Sequence, residues 1–114
     1  MSENIDWANL SFGYMKTDYN VRCYYRNGAW GEIELSSEES INMHMAATCL
    51  HYGQEAFEGL KAFRCKDGKI RIFRMEANAE RLQSTCRGIL MPELPTEKFC
   101  EMIKKVVKMN ERFI

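Results

Sequence analysis

Ala62-Phe63-Arg64-Cys65-Lys66-Asp67-Gly68-Lys69-Ile70-Arg71-Ile72-Phe73, with the run from Met75 to Ile89 behind it, decides the fold class. Apolar residues flank Asp67-Gly68, and Asp-Gly readily adopts the positive φ that a tight hairpin turn needs, so two antiparallel strands are expected here. From Met75 onward the period changes. Ala79, Leu82, Cys86 and Ile89 recur at three- and four-residue steps, which predicts an amphipathic helix ending near the turn from Pro92 to Pro95. Thr96 is placed to cap a further helix whose apolar face is Phe99, Ile103, Val106 and Val107 and whose Glu97, Lys104, Lys105 and Lys108 mostly face solvent.

Upstream, Gln54 to Leu60 consists largely of good helix formers and predicts a short helix, with Gly59 where it would end. Met43 to Leu50 is apolar enough for a buried strand or a helix, and periodicity does not choose between them. Ser36 to Ser40 reads as a polar loop. Val21 to Tyr25 is rich in β-branched and aromatic residues, Arg26-Asn27-Gly28 supplies a turn, and Trp30 to Leu35 alternates around Glu32 and Glu34, so another hairpin is expected. Strands followed by helices, with no repeat and no long linker, make an α+β unit of one domain.

The 114 residues are 46% hydrophobic and 28% charged, the balance of a globular protein, and a packed core is expected. Sixteen basic and sixteen acidic residues cancel, which gives no global electrostatic case for nucleic acid or an anionic membrane. No stretch approaches the length of a membrane span. Met1 to Asn9 holds Glu3, Asp6 and Trp7 in place of a basic and then apolar leader, so no secretory signal is expected. Cys23, Cys49, Cys65, Cys86 and Cys100 are odd in number and lack metal-ligand spacing; small buried hydrophobes in a reducing cytoplasm are the expected state, with no metal site. The chain stops on the apolar pair Phe113-Ile114, which implies that the natural polypeptide continues.

Generic chemical signatures are absent: there is no Walker-type loop, no Gly-x-Gly-x-x-Gly and no nucleophile elbow. One segment is specific. His51-Tyr52-Gly53, then Gln54-Glu55-Ala56, then Phe57-Glu58-Gly59-Leu60-Lys61-Ala62-Phe63 resembles the motif of the branched-chain aminotransferases, which are class IV, pyridoxal-phosphate-dependent enzymes with a small N-terminal and a larger C-terminal domain. Phe12-Gly13-Tyr14-Met15-Lys16-Thr17-Asp18, Gly28-Ala29-Trp30-Gly31, Ile72-Phe73-Arg74 and Asn78-Ala79-Glu80-Arg81-Leu82 extend the likeness over nearly the whole chain. D-Amino-acid aminotransferases and aminodeoxychorismate lyases share the class fold, and a non-catalytic interaction domain on that fold is a further alternative. The run from Phe57 to Phe63 favours the branched-chain branch.

The resemblance implies that residues 1–114 are the small domain, an antiparallel sheet with packed helices, and that the larger catalytic domain lies outside them. It implies transfer of the amino group of leucine, isoleucine or valine to 2-oxoglutarate by a cytoplasmic homo-oligomer. Arg81 matches the arginine that holds the cofactor phosphate, and a planar guanidinium suits that task because it donates parallel hydrogen bonds to phosphate oxygens. Without the motif it would read as an ordinary surface arginine, as Arg74 and Arg87 do. Tyr52 and Phe57, and with a weaker match Phe12, correspond to walls of the pocket for the substrate side chain; for the two phenylalanines, core packing is the commoner fate. Glu58 and Lys61 are read as structural parts of the motif. The lysine that joins the cofactor aldehyde belongs to the larger domain in this family, and no lysine here matches it, so this chain is expected to hold no catalytic residue and to be inactive alone.

Overall fold

A computed structural model describes residues 5–9 and 13–114. Phe12, one of the expected pocket residues, lies outside the described residues. A 3-10 turn at Trp7–Asn9 precedes four short strands, β1 (Asn20–Arg22), β2 (Tyr25–Arg26), β3 (Ala29–Trp30) and β4 (Glu34–Ser36). Next come α1 (Thr48–His51), β5 (Ala62–Arg64), β6 (Ile70–Ile72), α2 (Met75–Gly88), α3 (Thr96–Met109) and a closing 3-10 turn at Glu111–Phe113. Among the described residues the class is α+β with small antiparallel sheets and three α-helices.

Both hairpins form. Asn27 and Gly28 take positive φ (53° and 80°), as a tight turn between β2 and β3 requires, and Tyr25 meets Trp30 edge-on across the ladder with centroids 5.2 Å apart. The outer ladder pairs Val21 with Leu35, yet the ladders do not run straight into one another. Between them Cys23 and Tyr24 face Gly31, Glu32 and Ile33, so the returning strand carries an extra residue and the ribbon bends. In the second hairpin β5 and β6 pair Ala62 with Ile72 and Arg64 with Ile70, and Gly68 supplies the positive φ (82°). Asp67 accepts the Lys69 amide at 3.0 Å within the turn, which explains its place beside Gly68. Among the described residues the expected single sheet is therefore corrected to three separate two-stranded ladders.

The helices follow the periodicity downstream and depart from it upstream. α2 and α3 pack on each other, burying Ala79, Cys86 and Phe99, while Leu82, Ile103, Val106 and Val107 are half-buried. Thr96 does not cap α3. It is the first helical residue, behind Pro95, and its hydroxyl accepts from Gln83 Nε2 at 3.0 Å, tying α3 to α2. The helix expected over Gln54 to Leu60 is absent; residues 53–61 have no regular structure and the turn of helix lies earlier, at α1. The glycine that ends it is Gly53, at φ 65°, directly after the C-cap Tyr52, and Gly59 has no such role. Gln54 explains part of the shift. Its amide donates to the Ile89 and Leu90 carbonyls at 2.8 and 3.4 Å and its oxygen accepts from Thr48, so the side chain anchors the loop to the end of α2. Met43 to Leu50, expected to be buried, is largely exposed.

The core is smaller than the composition suggests. Ala79, Cys86 and Phe99 are the buried apolar residues among those described, and the other four cysteines are half-buried thiols. The accessible surface is 9167 Å², where a folded monomer of this mass presents about 6,500 Å², and the radius of gyration is 15.9 Å against about 13 Å. Polar anchors offset the thin core. Asn110, at the end of α3, is 7% exposed. Its oxygen accepts the Asp18 and Tyr19 amides at 3.0 Å each, and its amide donates to the Tyr19 carbonyl at 3.0 Å and the Val106 carbonyl at 2.8 Å. Arg112 adds a side-on pair to Asp18, with Nε and Nη2 each 2.7 Å from a carboxylate oxygen. Thr17-Asp18, singled out in the sequence, is thus clamped to the far end of α3. Among the described residues no helix is long and apolar enough to cross a membrane.

Candidate functional site

The Phe57–Ala62 stretch crosses the apolar face of α3 and leads into β5, bordering a groove of about 380 Å³ with Ile103, Val106 and Val107 opposite. Two residues of this region meet across the fold. Arg81, on the exposed face of α2, donates from Nε to Glu58 Oε2 at 2.8 Å and from Nη2 to Glu58 Oε1 at 2.6 Å. Asn78, three residues earlier on the same helix face, donates from Nδ2 to Glu58 Oε1 at 2.9 Å and to the Gly59 carbonyl at 3.1 Å. The pair is asymmetric. The Glu58 side chain is 8% exposed and the Arg81 side chain 66% exposed, so the acid sits beneath and the guanidinium outside.

Hydrogen bonds from Arg81 hold the Glu58 carboxyl below its ordinary value, against burial that pushes it up, and Asn78 acts in the same direction as Arg81. Arg112 lowers Asp18 in the same way, again with burial opposing, and Arg71 together with the Lys69 amide lowers Asp67. Groups lowered on folding bind fewer protons in the folded chain than in the unfolded one. Their stabilisation is therefore complete above the unfolded range, near pH 4, and is lost as pH falls through the folded values. Urea midpoints should be level from about pH 7 to pH 5 and drop below about pH 4, and Asp18→Asn should flatten that acid limb. An unchanged limb in the variant would remove Asp18 from the account.

The structure joins Arg81 to the motif, but through Glu58, a residue whose partner was not legible in the sequence. Lys61, the lysine of the motif, is exposed and is not the partner of Glu58. Phe57 is 90% exposed and Tyr52 85% exposed, so neither packs in the core. Arg74 is exposed in a left-handed conformation (φ 50°) at the start of α2, and Arg87 pairs with Glu93. A larger concavity, about 700 Å³, lies elsewhere, around Asp18, Arg112 and Ser37 to Ser40, and contains none of the residues from His51 to Phe63. It is a polar gap beside a structural ion pair, whereas the motif groove has apolar walls and, in its lining, the Glu58 that Arg81 holds. No cluster of His, Cys, Asp or Glu among the described residues could hold a metal.

No family model matches the chain. Individual relatives do: a branched-chain-amino-acid aminotransferase of Haemophilus influenzae is 48% identical over 112 residues, which is 98% of this chain and 33% of the relative. The chain is a homologue of the branched-chain-amino-acid aminotransferases. The enzyme of that name from Helicobacter pylori is 44% identical over 98% of this chain, again 33% of its own length. That of Mycolicibacterium smegmatis is 43% identical over 94% of this chain and 29% of its own length. The chain thus spans about a third of the branched-chain-amino-acid aminotransferases it matches.

Proposed function

We propose that this chain is the N-terminal small-domain segment of a branched-chain-amino-acid aminotransferase that moves the amino group of leucine, isoleucine or valine to 2-oxoglutarate with pyridoxal phosphate. The observation that carries this reading is the meeting of the motif loop with Arg81. The side-on pair occupies Nε and Nη2, so Nη1 and the second Nη2 hydrogen form a second edge on a side chain that is 66% exposed. A planar edge of two parallel N–H donors fits a phosphate group.

When bound, the cofactor supplies an aldehyde for the substrate amine and an electron sink for the carbon that exchanges its proton. This chain's part is binding and exclusion. Arg81 fixes the phosphate, while Phe57 and Tyr52, with Phe12, wall the space for a branched apolar side chain and keep water from it. Each methylene buried there is worth about 0.8 kcal/mol, so several walls are needed to favour leucine over smaller substrates. No residue of this chain is assigned a proton-transfer role; that task, and the lysine that joins the cofactor, belong to the remaining two thirds of the protein. The exposed Phe57, Tyr52, Phe73 and Leu90 are the surface that larger domain would cover. The complete enzyme is read as a cytoplasmic homo-oligomer.

Substrate profiling of the complete enzyme tests the reading. Leucine, isoleucine and valine should be the preferred donors with 2-oxoglutarate, and a preference for D-alanine would overturn it. This segment alone is expected to transfer no amino group and to retain no cofactor. A visible absorption band that survives dialysis and is fixed by borohydride onto a lysine of this chain would refute that.

A further inference from the structure

We propose that Glu58 is a positioning residue for the phosphate site: it grips Arg81 side-on and so holds the outer edge of the guanidinium as a preformed anion-binding fork. The inference rests on the reading of Arg81 as the phosphate ligand and adds how that ligand is held.

Three features of the pair point this way. First, the contact uses Nε and Nη2, with both carboxylate oxygens engaged, which fixes the guanidinium plane and not merely its distance. Second, Glu58 is itself secured: Asn78 donates to one of its oxygens and to the neighbouring Gly59 carbonyl, so the acid is tied to the helix that carries Arg81. Third, the carboxylate is nearly buried while most of the arginine side chain is exposed, so the locked group presents its remaining donors outward. A free arginine on a helix surface samples many rotamers, and holding one of them in advance removes that ordering cost from ligand binding.

A purely electrostatic view of the same pair predicts the reverse. A carboxylate beside the arginine cancels its charge, so removing the carboxylate would leave a stronger attraction for a dianion. Glu58→Gln therefore separates the two by sign, because it keeps the shape while losing the charge and one acceptor. Glu58→Asp keeps the charge but shortens the reach by a methylene.

The measurement is the affinity of the complete apoenzyme for pyridoxal phosphate and for pyridoxal, which lacks the phosphate, followed by fluorescence titration. The ratio of the two affinities isolates the phosphate contribution. Residues that orient a ligand from behind commonly change its affinity by about 10- to 100-fold, and both Glu58 variants are expected to lower the ratio by about tenfold. Adding Arg81→Ala to Glu58→Gln should lower it no further than Arg81→Ala alone. If Arg81→Ala lowers the ratio but Glu58→Gln raises it or leaves it unchanged, or if Glu58→Asp retains the parental ratio, the positioning role is overturned and Arg81 remains the ligand. Additive losses in the double variant overturn it as well. If Arg81→Ala itself leaves the ratio unchanged, the underlying reading of the arginine fails. Should Glu58→Gln fail to fold, Glu58→Asp carries the same comparison.

Discussion

Arg81→Ala in the complete enzyme should weaken the retention of pyridoxal phosphate by about ten- to a hundredfold, the loss expected when charge-assisted hydrogen bonds to a phosphate are removed from a solvent-accessible site. Exposure sets the upper end, because water replaces part of what the guanidinium gives. The fold should survive, since the side chain projects from the outer face of α2 and buries little. A secondary effect follows from the partner left behind. Glu58 would keep Asn78 but lose its cation while remaining nearly buried, so its carboxyl should titrate at higher pH in the variant than in the parent. Cofactor titration with a parallel melting curve measures both affinity and folding. Undiminished retention would return Arg81 to the ordinary surface arginines and leave its pair with Glu58 a structural strut.

Asn110→Ala should be the most damaging single substitution for stability. The amide makes four hydrogen bonds, three of which close the end of α3 onto Asp18 and Tyr19, residues more than 90 positions away in sequence. Truncation leaves two backbone amides and the Val106 carbonyl to find partners at a site that is nearly closed to water, while the Tyr19 carbonyl keeps the Thr17 hydroxyl. Leaving a buried polar group unsatisfied costs about 1–3 kcal/mol, and with partial relaxation the total should be about 2–4 kcal/mol, a large part of a domain's usual 5–15 kcal/mol. Asn110→Asp tests the geometry: it keeps the acceptor for the two amides but gives up both donors, and should also destabilise. Urea unfolding at neutral pH measures these losses. A change below about 0.5 kcal/mol in the alanine variant would mean that Arg112 and the flanking turn hold the N-terminal segment without it.

What could be read from the sequence was what local chemistry controls. Asn27, Gly28 and Gly68 take the positive φ that their turns require, and the Ala79 to Ile89 and Phe99 to Val107 spacings leave one face to bury. The bend between the first two ladders was not legible, because an extra residue on one strand leaves the alternation almost intact. Helix propensity over Gln54 to Leu60 failed for a physical reason. The side chains of Gln54 and Glu58 are engaged in tertiary contacts that hold the segment as a loop. Arg81 was singled out through the family motif on α2, while its partner Glu58 was hidden by a separation of 23 residues. A signal was present in retrospect: a lone acid in an otherwise apolar Phe-Glu-Gly run is costly to bury unless a cation meets it.

The breadth of exposed surface has a thermodynamic consequence. The heat-capacity increment of unfolding comes chiefly from apolar area newly exposed to water, and an ordinary chain of this length gains roughly 1.5 kcal/mol/K. Here Phe57, Tyr52, Phe73, Met45 and Leu90 are already in solvent before unfolding begins, so little of their area remains to be exposed. The increment should be well below that value, and the dependence of stability on denaturant correspondingly shallow. The segment's free energy would then vary gently with temperature, without the steep curvature of a larger core. Its unfolding would be broad, and the sharp, cooperative melting of a globular enzyme would arise only once those aromatic surfaces are covered.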